Sequence, residues 1–201
     1  MYYDNIVLMF INGFSGHWAW LDNTMMVVSK YGPLVFGIYL IGLWFTGDSI
    51  KEVEQNRKQA LYAFFSALLA LGINQMISHA WLRERPYVNH PVNRLLPVSE
   101  DPSFPSDHAT GVFSIAGSLF GHTAGSTVLL MFAMLVALSR VYVGLHYPSD
   151  ILGGMLTGVI GSYLIERNKD RMEKPVTWLL HLWNVIEAKL PFPLPTKANN
   201  E

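Results

Sequence analysis

The stretch VLLMFAMLVALSRVYVGLHYPSD, residues 128–150, decides the fold. It opens on an unbroken apolar run, Val128 to Leu138, sets Ser139 and Arg140 where that run ends, and continues to His146 and Asp150. Such a run reads as a helix surrounded by apolar material, and a guanidinium at its end is costly in a bilayer unless something anionic meets it. Arg140 therefore calls for an anion. Taken alone it fits equally well an arginine whose head reaches the membrane interface, or one paired with Asp150.

The rest of the chain places that run in a membrane. Hydrophobic residues make up 51% of the 201 residues and charged residues 14%, against about 25% charged in soluble domains. Apolar stretches fall at 32–47, 59–78, 108–121, 126–144 and 150–165. The expected fold is all-α, a polytopic membrane helix bundle of about five transmembrane helices with interfacial amphipathic helices at both ends. Several stretches are shorter than the ~20 residues of a full span, and these begin beside polar motifs, so their outer turns should line a pocket. Gly153, Gly154, Gly158 and Gly161 give the last stretch the small-xxx-small spacing that permits close helix contact.

We expect one membrane-embedded domain over 1–201, with no linker dividing it. Residues 1–31 form its interfacial N-terminal segment, 32–166 its transmembrane catalytic core and 167–201 a cytoplasmic amphipathic tail. In the first segment Ile6, Val7, Phe10, Ile11 and Phe14 recur at near-helical spacing and Trp18 and Trp20 follow, which suits an interfacial helix or an ordinary packing helix. It lacks a basic start and a small-residue cleavage site, so no cleaved signal peptide is expected. In the tail, Trp178 and Trp183 mark an amphipathic stretch over 176–190 that Pro191, Pro193 and Pro195 end.

Lys51, Arg57 and Lys58 in one loop, and Arg167, Lys169, Arg171 and Lys174 after the last span, fall on one face if there are five spans. By the positive-inside rule that face is cytoplasmic, and the 79–107 loop and 145–149 connection face outward. The net charge of −1, without a Lys/Arg run, argues against nucleic acid as a partner. The absence of cysteine excludes disulfides, thiolate nucleophiles and Cys-ligated zinc. Nothing in the sequence specifies an oligomeric state.

Three clusters carry chemistry: Arg85-Pro86, Pro105-Ser106-Asp107-His108, and Ser139-Arg140 with His146 and Asp150. Each lies at the outer end of an expected span. Arg85 and Arg140 together suit a phosphate, which accepts bidentate hydrogen bonds from guanidinium forks. Ser106 stands where a helix N-cap belongs, and the free amides and positive dipole end beyond it suit phosphate oxygens. Neutral His146 and His108 have the chemistry of a nucleophile toward phosphorus or of a proton donor. Pro148 makes the step from His146 to Asp150 a turn, and Asp150 there can orient an imidazole, cap the last span, or both. His108, His146, Asp107 and Asp150 could in principle ligate a metal. Two guanidiniums already supply the positive charge a metal would bring, so no metal and no other cofactor is expected.

Assembled, these residues resemble the type 2 phosphatidic acid phosphatase superfamily, whose motifs are K-x6-R-P, P-S-G-H and S-R-x5-H-x3-D. SRVYVGLHYPSD, residues 139–150, matches the third in full; PSDH, residues 105–108, matches the second with Asp107 in place of glycine. In the first, Arg85 and Pro86 match, but Ser78 stands where the lysine belongs, leaving Arg83 or His79 as its possible substitute. Within the superfamily the chain is most similar to the bacitracin-resistance type of undecaprenyl-diphosphate phosphatase, a resemblance that covers nearly the whole chain. It implies a bacterial plasma-membrane enzyme that faces outward and hydrolyses undecaprenyl diphosphate to undecaprenyl phosphate. It also implies that His146 is the nucleophile that becomes a phosphohistidine, that Asp150 orients it, and that His108 protonates the leaving oxygen. Phosphate binding would fall to Arg85, Arg140, Ser106 and the helix start at Asp107, with His90 and Arg94 near a second phosphate. The alternatives are a phosphatase of phosphatidylglycerol phosphate or phosphatidic acid, a non-enzymatic lipid-phosphate binder, and a vanadate-dependent haloperoxidase.

Overall fold

Pro148 opens and Arg167 closes helix α7 (Pro148–Arg167), and its glycines set how the bundle closes. A Cβ on Gly154 would stand 2.5 Å from the Ser106 carbonyl oxygen, and one on Gly158 would stand 2.6 Å from that of Thr110. Both contacts are with α5 (Asp107–Leu119) and the residue capping it, so the backbones of α5 and α7 touch where the sequence spacing placed the small residues. Gly161 makes the same approach to Ala70 of α3 (Ile50–Ala80).

The computed structural model describes residues 2–189, and its regular elements are all helical. The others are α1 (Tyr2–Asn12), α2 (Ala19–Trp44), the single turn α4 (Pro86–Asn89), α6 (Ser126–Tyr142) and α8 (Lys169–Glu187). With 13 residues, α5 is ~20 Å long, too short to cross a bilayer alone. It is the hub instead, packed against α2, α3, α6 and α7, with Ala109, Val112, Ala116 and Leu119 in the core.

The outer surface is apolar. Leu34, Ile38, Leu68, Met131, Leu156 and Tyr163 are all exposed, a belt that a soluble monomer would not present. Among the described residues α2 and α3 are long and apolar enough to cross a membrane, and α6 is a shorter apolar helix.

The last three apolar stretches of the sequence end within three residues of α5, α6 and α7. The first does not match as well. The segment 1–31 is not one interfacial piece: α1 stops at Asn12, and α2 starts at Ala19, thirteen residues before the stretch at 32–47. Pro33 lies inside α2. A proline leaves the carbonyl four residues earlier without its donor, and here that carbonyl, Ser29 O, accepts from Arg140 Nη1 at 3.3 Å. The helix continues because a buried arginine replaces the missing N–H.

At the other end α8 folds back on α3, burying Val176 and Leu180 beside Tyr62. Arg57 Nη1 and Nη2 meet Glu187 at 3.0 and 3.2 Å. The expected stop at Pro191, Pro193 and Pro195 lies outside the described residues.

Candidate active site

Gly144 turns the third motif into a site. At φ +76° it occupies the left-handed region that ends α6, and Leu145 N–H donates back to the Arg140 carbonyl at 3.1 Å. The reversal brings His146 beside Arg85, which approaches from the extended segment after α3. Arg85 is buried; its Nε donates to Asp101 O at 2.9 Å, its Nη1 to Leu145 O at 3.2 Å, and Nη1 lies 3.2 Å from His146 Nε2.

These contacts settle the imidazole. A guanidinium only donates, so Nε2 is the unprotonated nitrogen, and Nδ1, 2.9 Å from the Ser103 carbonyl oxygen, carries the proton. Burial pushes His146 down to about 4; the Asp150 carboxylate opposes that shift, and Arg140 and Arg85 reinforce it. His146 is thus a buried neutral base with its lone pair turned toward a guanidinium.

Asp150 is completely buried and accepts from Ser103 Oγ at 2.5 Å, Tyr147 N–H at 2.8 Å and Arg83 Nη1 at 2.6 Å. Its Oδ2 is 3.5 Å from His146 Nδ1. Ser103 therefore links the pair, its carbonyl on the ring and its hydroxyl on the carboxylate. The turn at Pro148 stands as expected, with the proline in the first turn of α7 and Asp150 bonding back to the cap residue Tyr147.

Arg140 does not pair with Asp150. Its Nη1 donates to Ser29 Oγ at 2.9 Å and to Ser29 O, while its buried Nε has no partner among the described residues. Arg85, Arg140 and His146 are the charged or titratable groups that reach His108. His108, in the first turn of α5, makes no hydrogen bond among the described residues. Ser106 caps α5, its Oγ accepting from Ala109 N–H at 3.5 Å, so the Asp107 and His108 amides have no acceptor within the helix.

Other candidates point elsewhere. The Asp107 carboxylate accepts from Asn74 Nδ2 at 2.7 Å and Gln75 Nε2 at 3.1 Å, which turns it toward α3 and leaves only its backbone amide at the helix start. Arg83 spends Nη1 on Asp150 and Ser149 Oγ, and Nη2 on Asp4 at 2.6 Å. His79 is exposed and its Nδ1 bonds back to Gln75 O at 2.7 Å. Arg94 is exposed over the Tyr87 ring, and His90 stands edge-on to Tyr147. Ser78, at the missing lysine's position, is buried.

Four residues were not foreseen from the sequence: Asp4, Ser29, Asn74 and Ser103. Asn74 is fully buried and ties Pro105 O, Asp107 and Thr110 to α3. Ser29 had a usable signal, the proline four residues on; Ser103 had none.

A buried neutral imidazole in contact with the Arg85 guanidinium, at one end of an apolar bundle, has the chemistry of a phosphoryl-transfer site. Residues 59–171, which contain all three clusters, match the PAP2 superfamily. The chain is 34% identical to the undecaprenyl-diphosphatase BcrC of Bacillus subtilis over 90% of its own length and 91% of that protein. It is 32% identical to the putative undecaprenyl-diphosphatase YbjG of Escherichia coli over 71% of this chain and 70% of the other. Its fold is similar to the crystal structure of Aquifex aeolicus LpxE, at a TM-score of 0.61 and 25% identity, covering 80% of this chain and 93% of that one. The chain belongs to the PAP2 superfamily.

Proposed function

We propose that the chain is a multi-pass bacterial plasma-membrane enzyme that hydrolyses undecaprenyl diphosphate to undecaprenyl phosphate through a phosphohistidine. The observation that carries this is the buried Arg140, whose Nε lacks a partner beside a second carboxylate-free guanidinium and an accepting His146 Nε2. An anion with several oxygens completes that arrangement. The substrate follows from the undecaprenyl-diphosphatases among the relatives.

His146 Nε2 attacks the terminal phosphorus, the bond to the bridging oxygen breaks, and His108, starting as its imidazolium, gives that oxygen a proton as undecaprenyl phosphate leaves. Arg85, Arg140 and the first amides of α5 hold the three phosphoryl oxygens. Water then attacks the phosphohistidine, gives its proton to His108 and releases phosphate. Asp150 and Ser103 hold the ring and stabilise its positive form.

Five helices, α2, α3, α5, α6 and α7, cross or enter the bilayer in this reading, and α1 and α8 flank them. Lys51, Lys58, Arg167, Lys169, Arg171 and Lys174 belong to the end opposite the site, which supports an outward-facing site. The test is phosphate release by the detergent-purified protein from undecaprenyl diphosphate and phosphatidylglycerol phosphate, with EDTA present. Faster release from the diphosphate, abolished in a folded His146→Ala variant, is expected. Preference for the glycerophospholipid would move the substrate, and activity only with added metal would sink the mechanism.

A further inference from the structure

The hydrogen bonds on Asp150 do not stop at the third motif. Oδ1 accepts from Arg83 Nη1, and the other nitrogen of the same fork donates to Asp4 Oδ2, each at 2.6 Å. Asp4 lies in the first turn of α1. It also accepts from Ser149 N–H at 2.9 Å and Ser149 Oγ at 2.6 Å, while Ser149 Oγ accepts from Arg83. The Arg83 guanidinium lies 4.0 Å over the Tyr147 ring. It is thus held by two carboxylates, a hydroxyl and an aromatic face, with its side chain and that of Asp4 only 12% and 10% exposed.

A carboxylate buried as completely as Asp150 is costly unless a cation and hydrogen bonds compensate it. Arg83 is that cation, and Asp4 fixes where Arg83 points. We propose that Asp4 and Arg83 are positioning residues of the phosphatase, and that α1 enters the catalytic machinery through the chain Asp4–Arg83–Asp150–His146. The inference rests on the histidine mechanism proposed above. It gives Arg83 a role through Asp150 instead of on the substrate as a stand-in for the lysine missing at Ser78.

The charges around His146 fix the sign of the test. Arg140 faces it from α6, Arg85 from the segment after α3, His108 from α5 and Asp150 from α7, with Arg83 and Asp4 behind Asp150. In Arg83→Gln the Asp150 charge acts on His146 undiluted, favours the imidazolium, and moves the acidic limb of kcat/KM to higher pH. In Asp4→Asn the Arg83 charge is unopposed and the limb moves to lower pH. Both variants should lose kcat about tenfold or more with KM unchanged, as supporting hydrogen bonds behind reactive groups do.

The measurement is the pH profile of kcat and KM on undecaprenyl diphosphate for wild type, Arg83→Gln and Asp4→Asn. Arg83→Lys, which keeps the charge, covers the case in which Arg83→Gln does not fold and should leave the limb at its wild-type position. Opposite displacements of the limb with KM kept support the inference. A raised KM with kcat kept in Arg83→Gln or Arg83→Lys makes Arg83 a phosphate ligand and overturns it; so does a limb that moves the same way in both charge-removing variants, or an Asp4→Asn enzyme equal to wild type. Wild type that releases no phosphate sinks the underlying mechanism instead.

Discussion

Arg57 and Arg140 are equally buried, each 6% exposed, at opposite ends of the bundle. Arg57 uses every nitrogen: Nε on Trp44 O at 3.0 Å, the fork on both oxygens of Glu187, and Nη1 also near Asn184 Oδ1 at 3.4 Å, with Trp44 and Trp183 against the guanidinium. Among the described residues Arg140 hydrogen-bonds to Ser29 and to no carboxylate, and its Nε has no partner. A buried charge that only fastens a helix is neutralised within the chain; a buried charge meant for a substrate is left for the substrate to neutralise. By that criterion the Arg57 end is a joint, and the Arg140 end is a site.

The largest effect should come from Arg140→Leu. Losing one of two forks on the phosphoryl group is expected to lower kcat/KM by about 10²-fold or more. The melting temperature in detergent should fall less than in Arg57→Leu, because the lost hydrogen bonds to Ser29 are offset by removal of a buried charge without a counter-charge. Arg57→Leu should do the reverse. It leaves Glu187 without its guanidinium, costs about 3–5 kcal/mol of stability, and spares the specific activity of the folded fraction. Arg57→Leu combined with Glu187→Leu should recover most of that loss, read as the coupling term of a double-mutant cycle. If Arg140→Leu destabilised as much as Arg57→Leu, the comparison would fail. Ser103→Ala comes next: the carbonyl on His146 remains but the hydroxyl on Asp150 goes, and kcat should fall about tenfold at constant KM.

Arg140 was legible in the sequence because it contradicts its surroundings: a charge that closes an apolar run needs an explanation, and a phosphate supplies one; Arg85 gained its meaning only beside it. The start of α5 was legible for a similar reason, since Pro105-Ser106 before an apolar run is a helix start. Ser103, Asn74 and Asp4 contradict nothing locally. A serine between Pro102 and Phe104, an asparagine in a long helix and an aspartate in a first turn are all ordinary there, and only the packing of α1, α3 and α7 makes them partners of motif residues. Ser29 lies between these cases. Its freed carbonyl is implied by Pro33, but that Arg140 would fill the gap depends on how α2 and α6 pack.

The smallest effect belongs to the exposed counterpart of the Arg57 joint. Glu173 accepts from Lys58 Nζ at 3.0 Å and Tyr62 OH at 2.8 Å, but the ion pair is open to solvent, with Lys58 27% and Glu173 50% exposed. Glu173→Gln should therefore change stability by no more than about 1 kcal/mol, far less than Arg57→Leu. The hydrogen bonds from Tyr62 and Lys58 hold the Glu173 carboxyl below its ordinary value of 4.5. Its contribution is fully present above that value and is lost as the pH falls through the lower, folded one. Melting curves of wild type and Glu173→Gln should differ slightly at neutral pH and converge in acid, once the pH has fallen through the lowered value of folded Glu173 and both side chains are uncharged. A gap as wide as that of Arg57→Leu, or one that persisted in acid, would mean that the exposed pair fastens α8 as firmly as the buried one, and burial would no longer separate the two kinds of charge.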